Sequence, residues 1–519
     1  MVSIIRLIPI QLLLGPCLLL EIAPTAFAGA TSGGLPSSTS ASNVQISVSS
    51  VSTGSKASER SGVTHGPTSY PNEASHRASD FLNSLGINLD MSQPSYRYNV
   101  NAIVSDLSYI GFKHVRGTIG SFSIAGNSYY INSKWVMPAS FTNSRIAIPA
   151  GPAGKNAITS QQMLKMFTAA GIHVDVHVYP EDPTPYQTWL DANTSYVEYI
   201  EGVNEVNTEP NTITYNGLTQ MALGITVQKA LYSMVKSDPK LSSIPVYAMT
   251  IGNATPSVVA TAGNIAPYTD YANLHAYAGS GSPPYAALAG AMALTTDAHG
   301  KPFVMTETGY PTAVYNATVA TTRTSGKNIV SEDIQNKYVL DAIFDAFNLG
   351  YVKTYLYELI DYQCDPYYTN SEMHFGIFRC DNHPKPAAIG LHNLEAILQD
   401  QGPAASTFAP APLNFTMRPW LRGSAHDIET YHTLLQKEDG TYDLVLWGEP
   451  NLWSTWSHAE ITTGVPVNLV TISFSSSYQS IKIYDPVKSA FPTEQVLNTN
   501  QIEVPVTDHP LIIEIGRKL

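Results

Sequence analysis

The chain has 519 residues, of which 44% are hydrophobic and only 13% charged, with a formal net charge of −13. That length exceeds one ordinary domain and suits a large core with a satellite. The negative balance argues against a nucleic-acid partner, whose phosphates need lysine and arginine to neutralise them.

The first residues, MVSIIRLIPIQLLLGPCLLLEIAPTAFAGA, read as a secretory signal spanning 1–28. Arg6 supplies the positive start, Leu7–Leu20 is an apolar run, and Ala26-Phe27-Ala28 fits small-x-small cleavage. Pro9, Gly15 and Pro16 interrupt the run, which is also short for a spanning helix. Export to an extracellular or periplasmic space is therefore expected, with no membrane association after cleavage. Residues 29–78, rich in Ser, Thr, Gly and Ala, are expected to form a linker without a core.

From residue 79 to 401, short apolar runs alternate with amphipathic ones. Strands are predicted at Leu85–Asp90, Lys113–Gly120, Ile172–Pro180, Tyr196–Glu205, Ile244–Thr250, Tyr271–Ala278, Pro302–Gly309 and Val352–Asp361. Helices are predicted at Asn99–Gly111, Ser160–Gly171, Gly217–Pro239, Glu332–Gly350 and Pro386–Leu398, punctuated by glycine stops and proline starts. Such alternation means a parallel sheet, and about eight repeats suit a closed (β/α)8 barrel. An open doubly wound sheet is the alternative, weakened because no G-x-G-x-x-G follows a strand. Residues 402–519 change period: YDLVLW, VPVNLVTISF and HPLIIEIG alternate between turns, as in a β-sandwich. The predicted class is α/β, a (β/α)8 barrel followed by a smaller all-β sandwich.

Beyond the signal two cysteines remain, Cys364 and Cys380. After export they are expected to pair, worth about 3 kcal/mol by chain entropy.

The stretch EGVNEVNTE carries glutamates at 201, 205 and 209. That spacing often marks a wet helix face. Here β-branched residues and tyrosines precede it, a glycine splits it and Pro210 blocks a helix, so it reads as a strand running into a loop. Glu201, Val203 and Glu205 then share one face, with Glu205 at the strand's C-terminal end, where barrels carry active sites. Glu201 lies deeper and needs a partner such as Arg116 or a strand-three histidine. PFVMTETGYP delivers a second carboxylate, Glu307, at another strand end. Two convergent glutamates imply a shared task or a bound cation, and glycosidic cleavage uses such a pair.

These residues resemble clan A of the retaining glycoside hydrolases, which includes cellulases, mannanases and β-xylosidases. The clan places its acid/base after strand four and its nucleophile after strand seven, where Asn204-Glu205 and Glu307 fall. Arg116 at strand two, His177 at strand three, and His275 and Tyr277 at strand six match as well. Where the clan carries a tryptophan after strand eight, this chain offers Tyr357 with Glu358 beside it. The resemblance covers residues 80–400 and extends to the added sandwich. It implies Glu307 as nucleophile, and Tyr277 and Arg116 as the groups that keep it ionised. It makes Glu205 the acid and then the base, its pKa raised by the neighbouring carboxylate. Asn204 would bind the sugar 2-hydroxyl, and His177 and His275 would bind hydroxyls or orient carboxylates. No cofactor is implied, and the expected partner is a poly- or oligosaccharide.

Two other functions compete. His173, Asp175 and His177 share one strand face in a metal-like H-x-D-x-H, as in barrel metallohydrolases. A non-catalytic carbohydrate-binding protein is the other. Tyr179, Tyr186, Trp189, Tyr285 and Tyr310 are candidates to stack on sugar rings, or to fill the barrel rim. In the sandwich, Trp447, Trp453 and Trp456 suit either polysaccharide binding or bracing of the barrel, and bracing is favoured.

Overall fold

The computed structural model of the chain describes residues 67–89, 100–118, 160–313, 329–362, 370–420 and 429–519. The signal at 1–28 and most of the expected linker lie outside the described residues, as does Cys364 of the expected Cys364–Cys380 bridge.

Two short strands come first, β1 (Thr68–Glu73) and β2 (His76–Arg77), then helix α1 (Ala78–Asn83). The barrel unit follows as β3 (Leu85–Asn88), α2 (Val100–Ile110), β4 (His114–Thr118), α3 (Ser160–Ala169), β5 (His173–His177), α4 (Gln187–Asn193) and β6 (Val197–Glu201). It continues through α5 (Gln220–Ser237), β7 (Val246–Tyr247), α6 (Pro256–Ala260), β8 (Ala272–His275), α7 (Tyr285–Leu294), β9 (Phe303–Thr308), α8 (Glu332–Leu349), β10 (Lys353–Leu356) and α9 (Pro386–Leu398).

All eight predicted barrel strands are present. They pair in parallel in the order β7-β6-β5-β4-β3-β10-β9-β8, and a Tyr247–Tyr271 bridge brings the two edges together. Outward residues such as Ile87, Val115, Val174, Val176 and Ile200 are fully buried under the helices. That is why these strands read as apolar runs. Inside, the lower barrel is filled by tyrosines. Tyr199 stacks on Tyr247 at 4.6 Å, and Tyr355 is fully buried nearby. Gly86 makes room for Tyr355, because a Cβ there would lie 2.5 Å from its ring.

The C-terminal unit comprises β11 (Leu413–Trp420), β12 (Tyr431–Gln436), β13 (Tyr442–Trp447), β14 (Trp453–Ser454), β15 (Ala459–Glu460), β16 (Asn468–Tyr484), β17 (Pro492–Val506) and β18 (Leu511–Ile515). A register shift between Ser473 and Tyr478 divides the long β16. Its first part pairs with β11 and its second with β18, so one strand feeds both leaves of the sandwich. Their facing residues, including Phe415, Ile472, Leu444 and Ile513, form a separate core. Residues 68–77, inside the expected linker, belong to this sheet. β1 pairs antiparallel with β11 and β2 parallel with β12.

On β13 alternate residues serve two cores. Leu444 and Leu446 face the sandwich interior, while Val445 and Trp447 join the barrel core. Trp447 is fully buried and packs 5.5 Å from Phe344 of α8. Tyr338 on α8 accepts from Leu452 N and donates to the Pro450 carbonyl. Trp453 is also buried and Trp456 is 91% exposed. Trp447 therefore braces the barrel, as favoured from the sequence.

This interface buries acids. Burial pushes the carboxyls of Asp341, Asp345 and Glu449 up, and Glu449 reinforces the effect on both aspartates. Elsewhere burial pushes Asp106 and Asp443 to about 7. The folded state thus keeps protons that the unfolded chain releases above the ordinary carboxylate range. Each such group removes stability as pH rises through that window, at about 1.4 kcal/mol per unit. Thermal unfolding should give a higher Tm at pH 4.5 than at pH 7, and Asp341→Asn should flatten that slope.

Candidate active site

The mouth of the barrel is organised around one buried cation. Arg116 on β4 is 2% exposed. Its Nε and Nη2 donate to the two oxygens of Glu201 at 2.7 and 2.8 Å. Nη1 donates to Glu307 Oε1 at 2.7 Å and to Asn88 Oδ1 at 2.8 Å, and Nη2 also donates to Asn204 Oδ1 at 2.8 Å. Burial opposes the charge on Arg116, but Glu201 and Glu307 outweigh it and hold the guanidinium protonated. Glu201, fully buried, is thereby partnered.

Glu307 on β9 is held on both sides, by Arg116 at Oε1 and by the Tyr277 hydroxyl, which donates to Oε2 at 2.8 Å. Burial raises the Tyr277 phenol and the Glu307 charge raises it further, so it remains a donor.

Glu205 sits four residues beyond β6, with its backbone in the left-handed region at φ 39°. That conformation costs on the order of 1 kcal/mol for a residue with a side chain. The Glu205 N–H donates to Thr250 Oγ1 at 2.8 Å. Gly252 makes room for the side chain, because a Cβ there would lie 2.8 Å from Glu205 Oε2.

His275 stands between the two glutamates. Its Nδ1 lies 3.0 Å from Glu205 Oε1 and 3.5 Å from Glu307 Oε2. Oxygens of both carboxylates and a His275 ring nitrogen all lie within 4.8 Å of one another. His275 Nε2 lies 3.1 Å from the Thr306 hydroxyl, which donates to Asn273 Oδ1 at 2.9 Å. With its proton so placed, Thr306 can only accept from Nε2–H. Nδ1 is then the ring nitrogen that faces Glu205. Burial alone would push the Glu205 carboxyl up, but the hydrogen bond and charge of His275, with Arg116, bring it below the usual carboxylate range. This direction is opposite to that expected from the sequence, because His275 and Arg116 together outweigh burial.

The other expected residues are distributed around this centre. His177 Nε2 lies 3.1 Å from Thr118 Oγ1, and burial, followed by Arg116 and His275, drives the His177 ring neutral. Tyr357 is half-buried and donates to Glu372 Oε1 at 3.2 Å. It packs edge-on to Phe375 at 5.3 Å, and Tyr277 also packs on Phe375, at 5.6 Å. Glu358 is fully buried and offers no accessible atom to the cleft. Among the aromatic candidates, Tyr186 and Tyr310 fill the core, and Tyr285 packs on Tyr431 of the sandwich.

The His173, Asp175 and His177 set does not converge. His173 is exposed at the start of β5, Asp175 is buried midway, and His177 ends the strand. Two residues along a strand span roughly 6.6 Å, too far for one ion to hold all three.

Asn88, Thr306, Gly252 and Glu372 were not anticipated. Asn88 and Thr306 are polar residues inside apolar strand runs, a signal the sequence did carry.

No protein-family model and no curated sequence matches the chain. Among solved structures, the chain is similar to a family 39 glycoside hydrolase from the gut symbiont Bacteroides cellulosilyticus WH2. Identity is 13% and the TM-score 0.51, with 84% of this chain and 82% of that chain covered. It is also similar to a family 39 β-xylosidase from Caulobacter crescentus, at 12% identity and a TM-score of 0.47, covering 84% and 97%. The first likeness is one of fold, a barrel followed by a sandwich.

Proposed function

We propose that this chain is a retaining glycoside hydrolase acting on a poly- or oligosaccharide or another glycoside by double displacement, exported through the signal at residues 1–28. The observation that carries the reading is the approach of the Glu205 and Glu307 oxygens to within 4.8 Å of each other and of His275. Retaining enzymes hold their carboxyl groups about 5–5.5 Å apart, whereas inverting ones need about 6.5–9.5 Å to admit water. The fold shared with a family 39 glycoside hydrolase supports the same reading.

In this reading Glu307 attacks the anomeric carbon. Arg116 and Tyr277 fix its two oxygens, so one lone pair stays aimed while the charge remains available. Glu205 gives its proton to the leaving oxygen, then takes one from the water that releases the sugar. His275 holds Glu205 in place through its Nδ1 contact at 3.0 Å. Asn204, its Oδ1 occupied by Arg116, presents its amide N–H groups to the sugar 2-hydroxyl. Tyr357 and Phe375 form the apolar wall beside the nucleophile.

A pH consequence follows from His275. Replacing it with glutamine removes the charge that lowers Glu205, so burial should dominate and the acid should stay protonated to higher pH. The alkaline limb of kcat/KM for His275→Gln should move upward relative to wild type; an unmoved limb contradicts this role.

Glu205, His275 and Glu307 also present ligand atoms at a spacing a cation spans. Arg116 already sits 2.7 Å from Glu307 and would repel a second cation. Activity that survives chelator separates the two chemistries. The function itself is tested with a panel of chromogenic glycosides and plant or microbial polysaccharides. The first-formed anomer, read by NMR, should keep the configuration of the substrate.

A further inference from the structure

A cavity of about 400 Å³ opens from the active site, and Glu205, His275 and Tyr277 form part of its wall. It runs between β8 and α7. The neighbouring helix α6 has only five residues, so little chain covers the sheet there. The volume falls in the ~300–1,000 Å³ range of small-molecule sites.

Its lining has an unusual chemistry for a sugar site. α7 reads YAALAGAMAL and turns Ala287, Gly290, Ala291 and Leu294 to the cavity, opposite Ala254 and Val259. A Cβ at Gly290 would meet nothing within 4 Å, so the space above the helix is open. Thr295 and Asp297 also line it, but the Thr295 hydroxyl donates to the Ala291 carbonyl at 2.9 Å and the Asp297 carboxylate accepts from backbone N–H groups at 297 and 298. Asn253 and Asn273 are likewise engaged, Asn273 with the Ala248 carbonyl and the Thr306 hydroxyl. Away from Glu205, His275 and Tyr277, a sugar ring placed here would meet mostly apolar side chains, so its hydroxyls would lose water with few partners in exchange, which is costly.

The general acid must touch the oxygen of the departing group, and Glu205 is part of this wall. We infer that the cavity is the leaving-group site and that it takes an apolar aglycone, an alkyl or aryl alcohol, in preference to a second sugar. This rests on the glycosidase reading above. Ala, Gly, Leu and Val side chains bury apolar surface and demand no hydrogen bonds, so affinity should grow with chain length.

The test uses the full chain and one glycon, the best in the chromogenic panel, joined to methanol, butanol, octanol or a second sugar. kcat/KM should rise by up to about fourfold per methylene, and the octyl glycoside should exceed the disaccharide at least tenfold. Gly290→Phe, which fills the open space, should cut the octyl-to-methyl ratio at least tenfold. Equal rates across the series, or preference for the disaccharide, would overturn the assignment. Calorimetry with 2-naphthol gives a readout independent of turnover. Binding by wild type that Gly290→Phe abolishes supports an apolar site; no binding by wild type overturns it. Should no glycoside be hydrolysed while 2-naphthol binds, the glycosidase reading fails and the apolar site stands.

Discussion

Glu307→Gln should retain the fold and lose activity by at least about 10⁴-fold in kcat. The amide is the same size and can still meet Arg116 and Tyr277, but it cannot form the glycosyl bond. Its thermal unfolding should stay close to that of the parent, because Arg116 keeps its paired contact with Glu201. Glu205→Gln should behave differently. General acid catalysis contributes about 10²–10⁴-fold, and the need for it shrinks as the leaving group becomes more acidic. The loss should therefore be large for alkyl glycosides and small for nitrophenyl ones in the glycosylation step. Equal losses for both variants across leaving groups would contradict the division of roles. Rates over a leaving-group series, with circular dichroism as the fold control, measure this.

Arg116→Met should be the most destabilising single change at the site, by about 3–5 kcal/mol. Methionine fills much of the space but leaves Glu201, fully buried, as an uncompensated charge. It also releases Glu307, Asn204 and Asn88 together, so activity should fall with stability. A second change separates the two effects. Glu201→Gln in the same chain removes the orphaned charge and should recover most of the stability, since a buried ion pair replaced by neutral groups is often nearly neutral in energy. Activity should not return, because nothing then anchors Glu307 on its Oε1 side. Urea unfolding of both single variants and the double variant gives the coupling directly. Recovery of activity alongside stability would show that Arg116 only holds the barrel together.

The barrel was legible because its period is regular. Most strands are apolar runs bounded by glycine or proline, Val100–Ile110 stops at Gly111, and Pro386–Leu398 starts at its proline. The strand ends bearing Arg116, His177, Glu205, His275 and Glu307 could be counted from sequence alone. Polar partners were harder, since Asn88 and Thr306 matter only through residues that approach them in space. Gly252 gave no local sign at all; its reason is the Glu205 carboxylate across a loop. The strands at 68–77 were missed because TSYPNE is mostly exposed and carries a proline. Tyr70, stacked on Phe415 at 4.8 Å, is its one large apolar anchor. Glu358 was assigned to the cleft from its neighbour Tyr357, yet it lies fully buried just beyond the end of β10.

Covalent trapping is the most direct test of the central claim. The full chain is incubated with a 2-deoxy-2-fluoro glycoside of the sugar it prefers, bearing an activated leaving group. The protein should gain the mass of one fluoroglycosyl unit, mapped by peptide sequencing to Glu307 and absent from Glu307→Gln. Turnover that inverts the anomer without any adduct, or an adduct on another residue, would contradict it.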